Sequence, residues 1–343
     1  MRTIMVGAAM LMMGMTGTVA MGQGRAAVPV IFDTDMGNDV DDALALAMLH
    51  AMESRGELKI LAVTVTKGNE WAAPYCDLVN TFYGRPEIPI GMVRDGKTPE
   101  SSPMIEVPAN EKTASGAYVY PHRLLRGADA EDAVALLRRT LAGQADRSVV
   151  VIQVGFSTNL ARLLETRPDS ASALDGMELV RAKVKRLVVM AGNFKTGKPE
   201  FNLMKDVPAA RELFAKWPTP IVASGFEIGL ALPFPATAIE TKFSYVEHHP
   251  MADAYRNYMK MPYDRPTWDL TAVLYAARPE AGYFSVSEPG TMAVGEDGST
   301  VFTADAKGNV RYLILEPAKA TGVLDALIEL SSQAPDALRQ HSK

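Results

Sequence analysis

One cysteine, Cys76, stands alone in 343 residues. A lone thiol excludes an internal disulfide framework and a zinc site built on cysteines. It also leaves no cysteine near the N-terminus for a lipid. Positive charge is not in surplus: 35 Lys and Arg against 40 Asp and Glu leave a net charge of −5. That balance argues against a nucleic-acid polymer as partner. Internal repeats and low-complexity tracts are missing beyond the first residues. The apolar stretch 4–20, after Met1-Arg2, is short for a spanning helix and rich in Gly, Thr and Ala. With the small residues that follow, it reads as a signal peptide over 1–22, cut near Gly22 or Ala27. The expected product is exported, periplasmic or secreted, without stable membrane insertion. What remains, residues 28–343, reads as a single domain large enough for a substantial core.

What the chain does have is acid, concentrated in one place. Asp33, Asp35, Asp39, Asp41 and Asp42 fall within ten positions, between an apolar run at 28–32 and an apolar helical pattern from Ala43. Carboxylates so crowded repel one another and raise their own pKa values. A hard divalent cation with oxygen ligands removes that cost. Helix capping accounts for one or two aspartates at such a junction, but not for five.

Downstream, apolar runs alternate with helical patterns. Strands are expected at 28–32, 58–66, 88–90, 148–154, 184–190 and 220–223, and helices at 41–52, 70–83, 130–141, 160–165 and 208–214. This alternation predicts an α/β fold, a mainly parallel open sheet with flanking helices. Short strands near 283–286, 291–294, 299–303 and 310–315 predict a small antiparallel C-terminal appendage, closed by a helix over 320–331. Residues 94–126 show no period and read as a long irregular loop, of the kind that forms lids. In a parallel sheet, functional groups gather beyond the carboxyl ends of the strands. The acidic stretch, Gly68-Asn69, Gly155–Asn159 and Gly192-Asn193 all occupy such positions.

Asp33-Thr34-Asp35…Asp41-Asp42-Ala43 resembles the opening signature of the inosine-uridine-preferring nucleoside hydrolases. Gly68-Asn69, Gly155-Phe156-Ser157-Thr158-Asn159, Pro199-Glu200-Phe201-Asn202 and Trp268-Asp269 resemble later family segments in the same order. The likeness spans roughly residues 28–277. It implies calcium-dependent hydrolysis of the N-glycosidic bond of ribonucleosides, giving ribose and free base. It further implies Ca2+ held by Asp35, Asp42, Asp269 and the Val154 carbonyl, with Asp35 also the catalytic base. Asp41, Asn69, Glu200 and Asn202 take the implied ribose-binding positions. Relatives form dimers or tetramers, so a homo-oligomer is compatible with the resemblance.

Two departures stand out. The acidic motif carries two more residues between Asp35 and Asp41 than the shortest family versions, which makes Asp39 a rival ligand. Trp268 occupies a position where many relatives have a histidine that acts on the leaving base. An indole cannot serve as that acid, but its face stacks on bases and favours purines. The alternative is a non-catalytic, calcium-dependent riboside-binding protein in which Trp268 plugs the pocket. An EF-hand fails because Leu44 falls where its bidentate Glu is required. A dehalogenase-type phosphatase expects its second acidic pair after a later strand, not in the same loop. Elsewhere, Trp71 and Cys76 read as core residues, and Asp33 and Asn38 as braces for the metal loop. His122, His248 and His249 read as loop residues, Tyr118 and Tyr120 as lid candidates, and Asn193 as a further ribose contact.

Overall fold

The computed structural model describes residues 26–340; the expected signal peptide lies outside them. Its strands are β1 Val28–Thr34, β2 Leu58–Lys67, β3 Ile90–Lys97, β4 Glu131–Asp132, β5 Val149–Gln153, β6 Val184–Met190 and β7 Ile221–Ser224. They continue as β8 Pro233–Phe234, β9 Arg265–Pro266, β10 Ser285–Val286, β11 Gly290–Val294, β12 Thr300–Ala304 and β13 Val310–Ile314. The helices are α1 Asp41–Ser54, α2 Ala72–Phe82, α3 Pro103–Asn110, α4 Ala133–Ala142, α5 Thr158–Leu164, α6 Gly176–Lys183 and α7 Phe201–Lys205. After them come α8 Val207–Lys216, α9 Phe226–Leu230, α10 Ala236–Lys242, α11 Pro250–Tyr258, α12 Asp269–Ala277, α13 Ala320–Ser331 and α14 Asp336–Gln340.

The main sheet runs β12-β11-β13-β7-β6-β5-β1-β2-β3-β4, and β1 pairs in parallel with both β2 and β5. Alternate side chains of each strand enter opposite faces, as the two-residue period requires. Val30, Phe32, Val150 and Ile152 join one buried cluster, while Ile31, Val149 and Val151 join the other. Helix α1 is buried along its length from Asp41 to Met52. That suits a helix apolar on nearly every side.

The topology places the site. From β1 the chain builds outward through β2, β3 and β4, then returns to the other side of β1 as β5. The loops leaving β1 and β5 therefore diverge, opening a crevice at the carboxyl edge between them. Asp35 leaves β1 there and Val154 leaves β5.

The expected antiparallel C-terminal strands are present and are continuous with the main sheet: β13 pairs in parallel with β7, and antiparallel β11 and β12 extend it. The exposed edge of β7 accepts β13 because its backbone groups would otherwise lack partners. One expectation needs correction: residues 94–126 are not structureless. They complete β3, which reaches Lys97, and then form α3. The three-residue register shift between β2 and β3 and the proline at the start of α3 hid both elements from a periodicity reading.

Candidate active site

A cavity of about 240 Å³ opens at the crevice. Asp35, Asp41, Asp42, Val154, Glu200, Asn202, Trp268 and Asp269 all line it, so four loops and three helix starts bring these expected residues together. Oxygens of Asp41, Asp42 and Asp269 lie within 4.8 Å of one another, and Asp35 lines the same wall. All four carboxylates are buried. Burial raises Asp35 to about 6, with the Asn38 hydrogen bond opposing it. Burial, then the Asp39 charge, raises Asp41 to about 8. Asp42 and Asp269 are pushed well above the carboxylate range by burial first and by their acidic neighbours second.

Hydrogen bonds relieve little of this. Asp42 accepts from the Thr34 hydroxyl. Among the described residues, no donor reaches the Asp269 carboxylate. Asp41 accepts the backbone N–H groups of Trp268 (2.8 Å) and Asp269 (3.2 Å), which caps the start of α12. Asp41 thus sits inside the acidic cluster and orients Asp269, rather than standing apart on the sugar side alone. Buried charges of one sign need a counter-charge, and an all-oxygen donor set suits a hard cation. Asp41, Asp42 and Asp269 bring oxygens close enough for that task, with Asp35 and Val154 on the same cavity lining. Asn202 already donates to the Val154 carbonyl at 2.7 Å, leaving that oxygen its second lone pair.

Beneath Asp35 a polar ladder fixes the loop. Asn38 donates to Asp35 at 2.8 Å and to the Thr98 hydroxyl at 3.0 Å, and Lys67 donates to Asn38 at 2.8 Å. Asp33 is fully buried and accepts from Thr64 (2.6 Å) and Asn159 (2.9 Å). Both braces thus act on the acidic loop from below. Gly155 lets β5 turn against it: a Cβ there would stand 2.5 Å from the Asp35 nitrogen. Glu200 caps α7, accepting from Asn202 (2.9 Å) and Leu203 (3.2 Å), and burial raises it to about 7.

The opposite wall is aromatic. Trp268 stacks on Phe226 with centroids 5.6 Å apart, and its indole N–H donates to the Phe226 carbonyl at 2.9 Å. Tyr258 joins them. Gly229 makes room for the indole, since a Cβ would lie 2.3 Å from its Cδ1.

Several expectations fail here. Asn69 does not line the cavity; its amide donates to the Glu100 carbonyl (2.9 Å) and toward Glu106 (3.3 Å), and its oxygen accepts from Trp71 (2.9 Å). It braces residues 99–106. Asn193 accepts from the Thr196 backbone at 3.0 Å, closing its own turn away from the cavity. Asp39 is no free ligand: both its oxygens receive the Arg265 guanidinium. Tyr118 and Tyr120 do not cover the cavity, and buried Tyr120 donates to Asp253 on α11. His249 caps α11 and contacts the Tyr245 hydroxyl at 2.7 Å, with burial lowering it to about 3. Other readings hold: His122 and His248 lie outside the cavity, Trp71 packs against the core, and Cys76 is buried. Arg265, Tyr258, Phe226 and Lys67 were missed. Only the position of Arg265, three residues before Trp268, carried a signal.

An α/β sheet with a buried carboxylate cluster facing an aromatic wall across its topological switch point defines a small-molecule site with a place for a cation. Residues 30–324 match the family model for inosine-uridine preferring nucleoside hydrolases, and the chain belongs to that family. A pyrimidine-specific ribonucleoside hydrolase, RihA, of Salmonella agona is 28% identical over 222 residues, 59% of this chain. The match spans 61% of that relative's length. The inosine-uridine preferring nucleoside hydrolase of Bacillus anthracis shares the fold with a TM-score of 0.65 and 20% identity, covering 89% of this chain and 99% of that one. The purine-preferring ribonucleoside hydrolase of Gardnerella vaginalis matches with the same TM-score and coverages at 17% identity.

Proposed function

We propose that this chain hydrolyses the N-glycosidic bond of ribonucleosides in a calcium-dependent reaction, releasing ribose and the free base. The observation that carries the reading is the cavity itself, with buried Asp35, Asp41, Asp42 and Asp269 on one wall and Trp268 on another. Asp42, Asp269, Asp35 and the Val154 carbonyl hold the cation. Bound there, calcium offsets the acidic charge and orients water and the ribose diol.

The chain's own groups do the rest. Asp35, fixed by Asn38, accepts a proton from the attacking water. Asp41, Glu200 and Asn202 face the ribose hydroxyls from neighbouring loops. Carboxylates around C1′ stabilise the positive charge of an oxocarbenium-like transition state. Trp268 and Phe226 offer stacked rings to the base, and this supports a purine preference. The relative in Salmonella agona is pyrimidine-specific, so the base must be settled by assay. Export to the periplasm or medium and a homo-oligomeric state belong to the same proposal.

Purified chain with Ca2+ is expected to release free base from inosine, adenosine or guanosine faster than from uridine. Chelation is expected to abolish release. The indole N–H, engaged by Phe226, cannot act on the base. Saturable riboside binding without base release therefore supports the binding-protein reading instead.

A further inference from the structure

Among the described residues lining the cavity, Arg265 is the only cationic side chain. Its place is built by groups from distant parts of the chain. Asp39, in the lengthened part of the acidic motif, takes the guanidinium with both oxygens, the Nε contact being 3.0 Å. The guanidinium carbon lies 5.4 Å from the Trp268 ring centroid and 5.3 Å from that of Tyr258. The fork to Asp39 engages two of the five guanidinium N–H groups, which leaves three for a ligand stacked on Trp268. The indole N–H of that wall is occupied by the Phe226 carbonyl.

Given the hydrolytic reading above, on which this rests, we infer that Arg265 is the group that stabilises the departing base. It donates hydrogen bonds to the heteroatoms that gain electron density as the N-glycosidic bond breaks. The C1′–N bond breaks with its electron pair leaving on the base. The water oxygen forms the new bond to C1′, and the water proton passes to Asp35 and then to solvent. The departed base takes its proton from solvent. A guanidinium keeps its protons in proteins, so Arg265 acts by charge and hydrogen bonding, as fixed donors do in oxyanion holes. The two departures of this sequence then have one physical explanation. The lengthened acidic loop supplies Asp39, Asp39 seats Arg265, and Arg265 serves the reaction at the place where Trp268 cannot.

The test compares a poor and a good leaving group. The full chain with Ca2+ is assayed on inosine and on p-nitrophenyl β-D-ribofuranoside, whose phenolate leaves without help. Arg265→Met is expected to lower kcat on inosine by roughly 10²–10³, the range for loss of one fixed donor at developing charge. On the aryl riboside the fall should stay below about tenfold, since no donor is required there. Arg265→Lys, which keeps the charge without the fork, and Asp39→Asn, which loosens it, should show the same selectivity with smaller losses. They carry the test if Arg265→Met does not fold. Equal losses on both substrates, or none on inosine, would overturn the inference while leaving hydrolysis intact. An unmodified chain that cleaves neither substrate overturns the hydrolytic reading and this inference with it.

Discussion

Two regions of this molecule bury charge, and they do so in opposite ways. Arg138 on α4 is almost wholly enclosed, yet its guanidinium reaches Asp169 through Nε (2.7 Å) and Nη2 (2.9 Å). It also donates to the Thr166 hydroxyl (2.6 Å) and the carbonyls of Ser172 (3.2 Å) and Leu174 (3.0 Å). The bidentate pair holds Asp169 at about 2, below the usual carboxylate range. At the carboxyl edge of the sheet, Asp35, Asp41, Asp42 and Asp269 are as deeply buried, with few donors and raised pKa values. A buried charge with every partner in place serves the fold. Buried charges without partners destabilise the fold, and they mark a site built for something that binds.

Substitutions should therefore act with opposite sign in the two regions. The largest effect is on turnover. Asp35→Asn keeps size and burial but removes the proton acceptor, and kcat should fall by about 10²–10⁴. Base release measured by chromatography checks this, and near-normal turnover would sink the role of Asp35. At the other region, Arg138→Met should destabilise the fold by about 1–3 kcal/mol as the part-buried Ser172 and Leu174 carbonyls lose a charged donor. Denaturant melts read that loss, and a midpoint equal to the parent's would contradict the account of this hub.

Next comes pH. Asp35 and Asp41 rise from an ordinary 3.8 to about 6 and about 8. Groups with raised pKa bind protons more tightly when folded. Their stabilisation is full below the ordinary value and is lost as pH climbs through the folded values. The metal-free chain should melt lower at pH 8 than at pH 5, and Ca2+ should raise Tm more at pH 8. Asp42→Asn should raise the metal-free Tm and shrink the calcium response; a lowered Tm would remove the contrast with Arg138. The smallest effect falls on the aromatic wall. Trp268→Phe trims the ring offered to the base while keeping the backbone that Asp41 holds. Such a loss of stacking area should raise KM for purine nucleosides by roughly tenfold, about 1.4 kcal/mol, while calcium binding measured by calorimetry stays unchanged.

Much of this could be read along the chain. The strand bounds at 184–190 match β6, and the order of acidic stretch, glycine turn, Glu200-Phe201-Asn202 segment and Trp268-Asp269 pair placed the cavity wall. Those signals are local: an apolar run fits a buried strand, and carboxylates crowded beside it must be reconciled with burial. Asn69 misled because its position at the end of β2 was legible while its partners, at Glu100 and Glu106, lie more than thirty positions away. The helix inside residues 94–126 escaped because eight residues opened by a proline leave too short a period to recognise.

By itself, then, the sequence determined a parallel α/β architecture and an acid-rich site at a strand end, because hydrophobic period and charge density are properties of neighbouring residues. Only the tertiary structure decided how each acid is used. It set Asp41 to cap α12, closed Asp42 and Asp269 into one cluster, and gave Asp39 to Arg265. Asp39 and Arg265 stand 226 positions apart. A side chain's role depends on which partners the fold brings within about 3 Å, and chain distance carries almost none of that information.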